Sequence, residues 1–144
     1  MESASAFFLA KLRHEIDVMA VADALDGGGF VLVDSRRRES WDHGHVPGAL
    51  HLPTADVERR ARQLIPLDRK IVVYSWGPGC NGSTLAALAF ANLGYSVQEM
   101  MGGMEYWARN GLPVEISGRP MSSAADPLVT AQKHPVDGET ASSP

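Results

Sequence analysis

The chain has 144 residues, of which 44% are hydrophobic and 21% charged, a composition that suits one ordinary globular domain with its own core. With 13 basic against 17 acidic residues the formal net charge is -4, which argues against nucleic acid or an anionic membrane surface as the main partner. The single cysteine, Cys80, excludes an internal disulfide and a cysteine-rich zinc site, as in most proteins of a reducing compartment, so a cytoplasmic location is expected.

In chain order, Phe8, Leu12 and Ile16 recur at four-residue spacing and predict an N-terminal helix or extension over residues 1–16. Glu2 stands where a signal peptide would be basic, and Lys11, Arg13 and His14 interrupt the apolar residues that follow. No run approaches the roughly 20 apolar residues that cross a bilayer, so no membrane partner is expected. Asp17 is placed to cap a second helix whose Val18, Val21, Ala22 and Leu25 share a face, and Gly27, Gly28 and Gly29 end it.

Two short runs, "FVLVD" (30–34) and "KIVVY" (70–74), are continuous, apolar and rich in β-branched residues. They read as strands covered on both faces, the signature of a parallel sheet. Between them "GALHLP" offers a shorter strand, and "TADVERRARQLI" a helix capped by Thr54 with Val57, Ala61 and Leu64 on one face. After Gly82, "STLAALAFANL" reads as a helix ending at Gly94, "YSVQEM" as a fourth strand and "GMEYWARNG" as a short terminal helix. Alternation of strands and helices implies an α/β fold with helices on both faces of a parallel sheet. From Ser117 the chain is rich in Ser, Pro, Gly and Ala, which predicts a disordered tail over residues 117–144 behind a domain spanning 17–116.

Chemistry concentrates in "SWGPGCNGST", the loop between the second apolar strand and the helix after it. In an open α/β sheet, ligands bind beyond the carboxyl ends of the strands, where Cys80 falls. Gly77, Gly79 and Gly82 allow positive φ and hence a ring of inward N–H groups around an anion. The helix start adds unpaired N–H groups from Asn81 onward, and Ser83 or Thr84 can cap or donate. The same dipoles lower a thiol from its free pKa of about 8.5 and enrich the nucleophilic thiolate. An inert buried cysteine is the competing reading, and the Gly and Asn neighbours argue against it.

Among the remaining candidates, Asp34 and Arg36 at the end of the first strand are placed to form a supporting ion pair near the loop mouth. Trp76 is placed to wall a pocket, and Trp41 and Trp107 to anchor packing. His45 precedes Val46-Pro47-Gly48 and is expected to bond backbone, while His43, His45 and His51 lack zinc spacing. No metal site is expected.

"VDSRRRESWDHGHVPGALHLP" (33–53) resembles the amino-terminal signature of rhodanese domains, and "GGMEYWARNGLPVE" (102–115) is similar to their carboxy-terminal signature. The resemblance covers residues 17 to 116, with the cysteine loop in between. It implies a parallel sheet of about five strands flanked by helices, and sulfurtransferase chemistry without metal or organic cofactor. A cysteine takes sulfane sulfur from a donor, becomes a persulfide and passes the sulfur to a nucleophilic acceptor.

In most members the cysteine directly follows the central strand, where this chain has Ser75; Cys80 comes five residues later. A subset of rhodanese-like sequences is similar here, with a Trp-Gly-Pro-Gly-Cys-Asn-Gly loop, which makes the loop a variant cradle built from Ser75, Trp76, Gly77, Gly79, Asn81, Gly82, Ser83 and Thr84 around Cys80. No arginine lies between Trp76 and Asn92, which removes the clamp for a thiosulfate-like dianion and the Cys-x5-Arg pattern of related phosphatases. The expected partners are a small sulfane-sulfur donor or a persulfidated protein, and a thiol acceptor. The alternatives are a non-catalytic binding or sensing module, and a redox sensor based on an exposed thiol.

Overall fold

The β-branched runs at 31–34 and 71–74 lie side by side at the centre of a five-stranded sheet, in a computed structural model that describes residues 3–129. The elements are α1 (Ala4–His14), β1 (Glu15–Ile16), α2 (Val18–Ala24), β2 (Val31–Asp34), α3 (Arg38–His43), β3 (Leu50–His51) and α4 (Thr54–Leu64). β4 (Ile71–Tyr74), α5 (Gly82–Asn92), β5 (Val97–Met100), α6 (Gly103–Arg109), β6 (Val114–Ile116) and β7 (Arg119–Met121) follow. The main sheet has the order β1-β5-β4-β2-β3 with every pair parallel, and β6 and β7 form a separate antiparallel pair.

Alternation along the strands divides the core in two. Val33, Ile71 and Val73 face α4 and α5 through Val57, Ala61, Ala86 and Phe90. Leu32, Val72 and Tyr74 face α2 and α6 through Val18, Val21, Met104 and Trp107. Side chains alternate faces at period two, so a run apolar at every position must be covered on both sides, as β4 is.

The sheet changes direction of growth between β2 and β4. β3 adds on one side of β2, whereas β4, β5 and β1 lie on the other. Such a switch point leaves a crevice beyond the carboxyl ends of the two strands. Here it is bounded by Ser35, whose N–H and hydroxyl both donate to the Tyr74 carbonyl at 3.1 and 2.8 Å.

Several boundaries differ from the expected ones for identifiable reasons. Asp17 caps α2 as expected, accepting from the Ala20 N–H at 2.9 Å. Thr54 is instead the first residue of α4, with Pro53 in the cap position, because the Thr54 N–H donates to the Ser35 carbonyl across the fold. Ile16 continues the spacing of Phe8 and Leu12 but belongs to β1, which pairs with β5 and places Glu15 and Ile16 in the sheet ahead of the expected domain start. Arg119–Met121 turn back on Val114–Ile116, and Arg109 holds Asp126 at 2.8 Å, so residues 117–129 of the expected tail carry structure. The rest of that expectation, residues 130–144, lies outside the described residues.

Candidate functional site

β4 ends at Tyr74, and the chain leaves the sheet through Ser75 into the switch-point crevice. Gly77 to Cys80 then close a tight turn, the Cys80 N–H donating to the Gly77 carbonyl at 3.1 Å, with Pro78 supplying the fixed φ its second position favours. The turn folds Cys80 back onto its point of departure. Its Sγ lies 3.5 Å from Ser75 Oγ and accepts the Gly82 N–H at 3.3 Å. The Ser75 hydroxyl foremost, then the Gly82 N–H, hold the thiol below its usual pKa, with a smaller contribution from the Trp76 backbone and partial burial opposing.

The glycines act differently from the sequence expectation. Gly77, Gly79 and Gly82 all have negative φ, so left-handed backbone does not explain them. Close approach explains Gly82, while at Gly77 the nearest atom is the movable end of the Glu105 side chain. A Cβ on Gly82 would stand 2.5 Å from Ser75 Oγ and 3.2 Å from Cys80 Sγ, and one on Gly77 would stand 2.6 Å from Glu105 Oε2. At Gly79 a side chain would meet open space.

The loop is held from below by the first turn of α6. The Met104 and Glu105 N–H groups donate to the Ser75 and Trp76 carbonyls at 2.9 and 2.8 Å, which ties both carbonyls to α6. Gly103, at φ +57°, permits this contact: a Cβ there would lie 2.6 Å from the Ser75 carbonyl oxygen.

Ser83 and Thr84 do not turn their hydroxyls to the sulfur. Both donate to Glu99 Oε1 on β5, at 2.9 and 2.6 Å. Asn81 occupies the cap position of α5 without a side-chain cap bond. Cys80 thus lines two clefts. One, of about 510 Å³, is walled by Trp76, Gly77, Gly79, Met104, Glu105 and Ala108. The other, of about 330 Å³, includes Ser75, Ser83, Thr84, Glu99, Glu15 and Lys11.

The expected amino-terminal and carboxy-terminal signatures therefore meet around one cysteine-bearing loop, and the family profile described as Rhodanese-like domain matches residues 17–110. The chain belongs to the rhodanese-like family. This rhodanese-like chain is 35% identical over 106 residues to a protein named Sulfurtransferase from Allochromatium vinosum, covering 70% of this chain and 94% of that one. It is 36% identical over 90 residues, 62% of its length, to an HTH-type transcriptional regulator of Mycobacterium tuberculosis, of which it spans only 39%. Among solved structures it is similar to the BH2092 protein of Bacillus halodurans, with a TM-score of 0.73 at 33% identity, covering 85% of this chain and 89% of that one.

In this rhodanese-like domain the Asp34 and Arg36 side chains are buried beneath the loop mouth. Arg36 grips Asp34 through Nε and Nη2, the latter at 2.8 Å, and donates to the Gly44 carbonyl at 2.6 Å. The Tyr74 hydroxyl adds a donor to Asp34 at 2.7 Å, and burial together with that carboxylate raises its pKa well above the ordinary range. The guanidinium lies 5.0 Å from the centre of the half-exposed Trp76 ring, so the buried pair supports one wall of the larger cleft.

His45 is a packing residue of the rhodanese-like signature: its ring stacks on Trp41 at 3.4 Å, with Nδ1 2.9 Å from the Trp41 carbonyl and Nε2 2.7 Å from Glu115. His51 Nε2 lies 2.7 Å from the Arg36 carbonyl. Sequence reasoning missed Glu99, Met104 and Glu105 as site residues. The available signal was Gln98-Glu99, a polar pair inside a strand otherwise expected to be covered.

Proposed function

We propose that this protein is a single-domain sulfurtransferase that carries sulfane sulfur as a persulfide on Cys80. The observation that carries the reading is the placement of Cys80 Sγ against Ser75 Oγ and the Gly82 N–H, in a loop whose carbonyls are tied to α6. In the first half-reaction the Cys80 thiolate attacks the outer sulfur of a donor persulfide, R–S–SH. A new S–S bond forms on Cys80, and the donor leaves as R–S⁻. In the second half-reaction an acceptor thiolate attacks the outer sulfur of Cys80–S–SH, and the electron pair of the broken bond returns to Sγ. Ser75 and Gly82 stabilise that leaving thiolate, which is where charge develops. Electrons balance within the two half-reactions, and no external oxidant or cofactor enters.

The Trp-Gly-Pro-Gly-Cys-Asn-Gly loop is read as a variant cradle, in which Ser75 takes the position next to the strand and supports the sulfur instead of bearing it. Without an arginine in the loop, a persulfide donor, small or protein-bound, suits the site better than a thiosulfate dianion. A reducing cytoplasmic setting, which keeps an unpaired thiol available, fits the single cysteine.

Mass spectrometry after incubation with a panel of sulfane donors tests the reading. One added sulfur atom on the Cys80 peptide, discharged by a thiol and absent from Cys80→Ser, is the expected result. No adduct from any donor overturns it. The regulator among the relatives favours a second reading, a non-catalytic sensing module. It predicts undiminished ligand or partner binding by Cys80→Ser together with no sulfur adduct on the native chain.

A further inference from the structure

The smaller cleft beside Cys80 contains a carboxylate with no cation of its own. β1 and β5 run parallel with Glu15 directly partnering Glu99, so two acidic side chains stand next to each other at the sheet edge. Like charges so placed repel unless something compensates them. Lys11, one turn earlier on α1, pairs with Glu15. Glu99 receives only the hydroxyls of Ser83 and Thr84, which orient its Oε1 but carry no charge, and among the described residues no Lys, Arg or His forms an ion pair with it. The larger cleft differs, because its Glu105 is paired with Arg109 at 3.1 Å. Arg109 also pairs with Asp126, so what distinguishes the smaller cleft is that its Glu99 has no ion pair among the described residues, whereas Glu105 does.

We propose that the smaller cleft receives the sulfur acceptor, and that Glu99 selects acceptors bearing a protonated amine beside the thiol, the aminothiols, over anionic thiols. The proposal rests on Cys80 as the sulfur carrier. The ammonium supplies the cation that Glu99 lacks, while the thiolate of the same molecule approaches the outer sulfur on Cys80. A volume of about 330 Å³ accommodates a molecule of this size. Attack forms the S–S bond of R–S–SH and breaks the bond to Sγ, which leaves with its electron pair as the thiolate.

Thiol–disulfide exchange reads the charge preference without requiring a persulfide. Native protein is reacted with cystamine and with 3,3′-dithiodipropionate, a cationic and an anionic disulfide. Each rate is taken relative to that of neutral 2-hydroxyethyl disulfide, and the whole series is repeated with free 2-mercaptoethanol in place of the protein. The expected result is a protein preference for cystamine about tenfold larger than that of 2-mercaptoethanol, from one unscreened charge at near range, reduced by salt. Glu99→Gln, which keeps the hydroxyl partners, lowers that preference to about twofold or less, and Glu99→Asp retains its sign. Absence of the preference in the native protein, its persistence in a folded Glu99→Gln, or a preference for the anionic disulfide through Lys11 each overturns the proposal. In a parallel arm, protein carrying sulfur on Cys80 is discharged by cysteamine and by 3-mercaptopropionate, with the same ordering expected at equal thiolate. Failure to load sulfur overturns the carrier reading and the acceptor role of the cleft together, whereas charge preference is scored independently by the exchange arm.

Discussion

Ser75 Oγ lies 3.5 Å from Cys80 Sγ, so the residue that leaves the central strand and the cysteine five positions later share one end of the loop. The hydroxyl is the largest of the influences that lower the Cys80 pKa. Donors to sulfur stabilise the anion, and removing one raises the pKa. Ser75→Ala is therefore expected to move the rising limb of the pH–rate profile for Cys80 alkylation to higher pH. At pH 7 the rate should fall roughly fivefold, as for the loss of a hydrogen bond of about 1 kcal/mol. Iodoacetamide kinetics across pH check this, and an unshifted profile would show that the hydroxyl does not act on the sulfur.

Gly103 is expected to tolerate no side chain. Alanine there would combine a left-handed φ of +57° with a Cβ 2.6 Å from the Ser75 carbonyl oxygen and 2.9 Å from the Gly77 nitrogen, both backbone atoms. The cost should be about 2 to 4 kcal/mol in urea unfolding. Because the displaced atoms belong to the cysteine loop, Gly103→Ala should also slow Cys80 alkylation while folded. A stable variant of native reactivity would separate α6 from the loop.

The buried Asp34 and Arg36 pair gives a third test. Side-chain exposure is 0% and 2%, so replacing one partner strands an uncompensated charge in the interior. Arg36→Met is expected to cost about 3 to 5 kcal/mol. It should also change Trp76 fluorescence, since the guanidinium packs against that ring. Asp34→Asn should cost at least as much, because it strands the Arg36 guanidinium, which cannot be neutralised, and turns an amide NH2 toward the donors that the carboxylate accepted. A loss below about 1 kcal/mol for either variant would contradict a charge-based account.

What the sequence shows plainly is local. The β-branched runs of β2 and β4, the Asp17 cap and the long α5 are each specified by neighbours within a few positions. β1 is hidden because two residues make no pattern; Ile16 stays in phase with α1, and only pairing with β5 makes it a strand. At the site, the cysteine and its glycine-rich loop are legible as a strand-to-helix connection. The return of Cys80 to Ser75 is not, because it depends on how the Gly77–Cys80 turn closes. Glu99 and Glu105 come from β5 and α6; the polar pair Gln98-Glu99 marks an uncovered point of β5, but its own neighbourhood does not say which loop it meets. Ser83 and Thr84 read as donors to the sulfur because their hydroxyls sit at a helix start; the carboxylate that takes them lies 15 or 16 residues further on.

The brevity of β1 has its own consequence. An edge strand bares a row of unsatisfied backbone groups that invites pairing with another chain, and a two-residue edge bares very little. β1 also caps β5, which would otherwise offer that row itself. The family match begins at residue 17, immediately after this stopper. Residues outside the shared frame therefore both blunt the sheet against self-association and, through Lys11 and Glu15, wall the cleft beside the thiol. One short segment ahead of the matched residues thus closes the sheet edge and shapes the approach to Cys80.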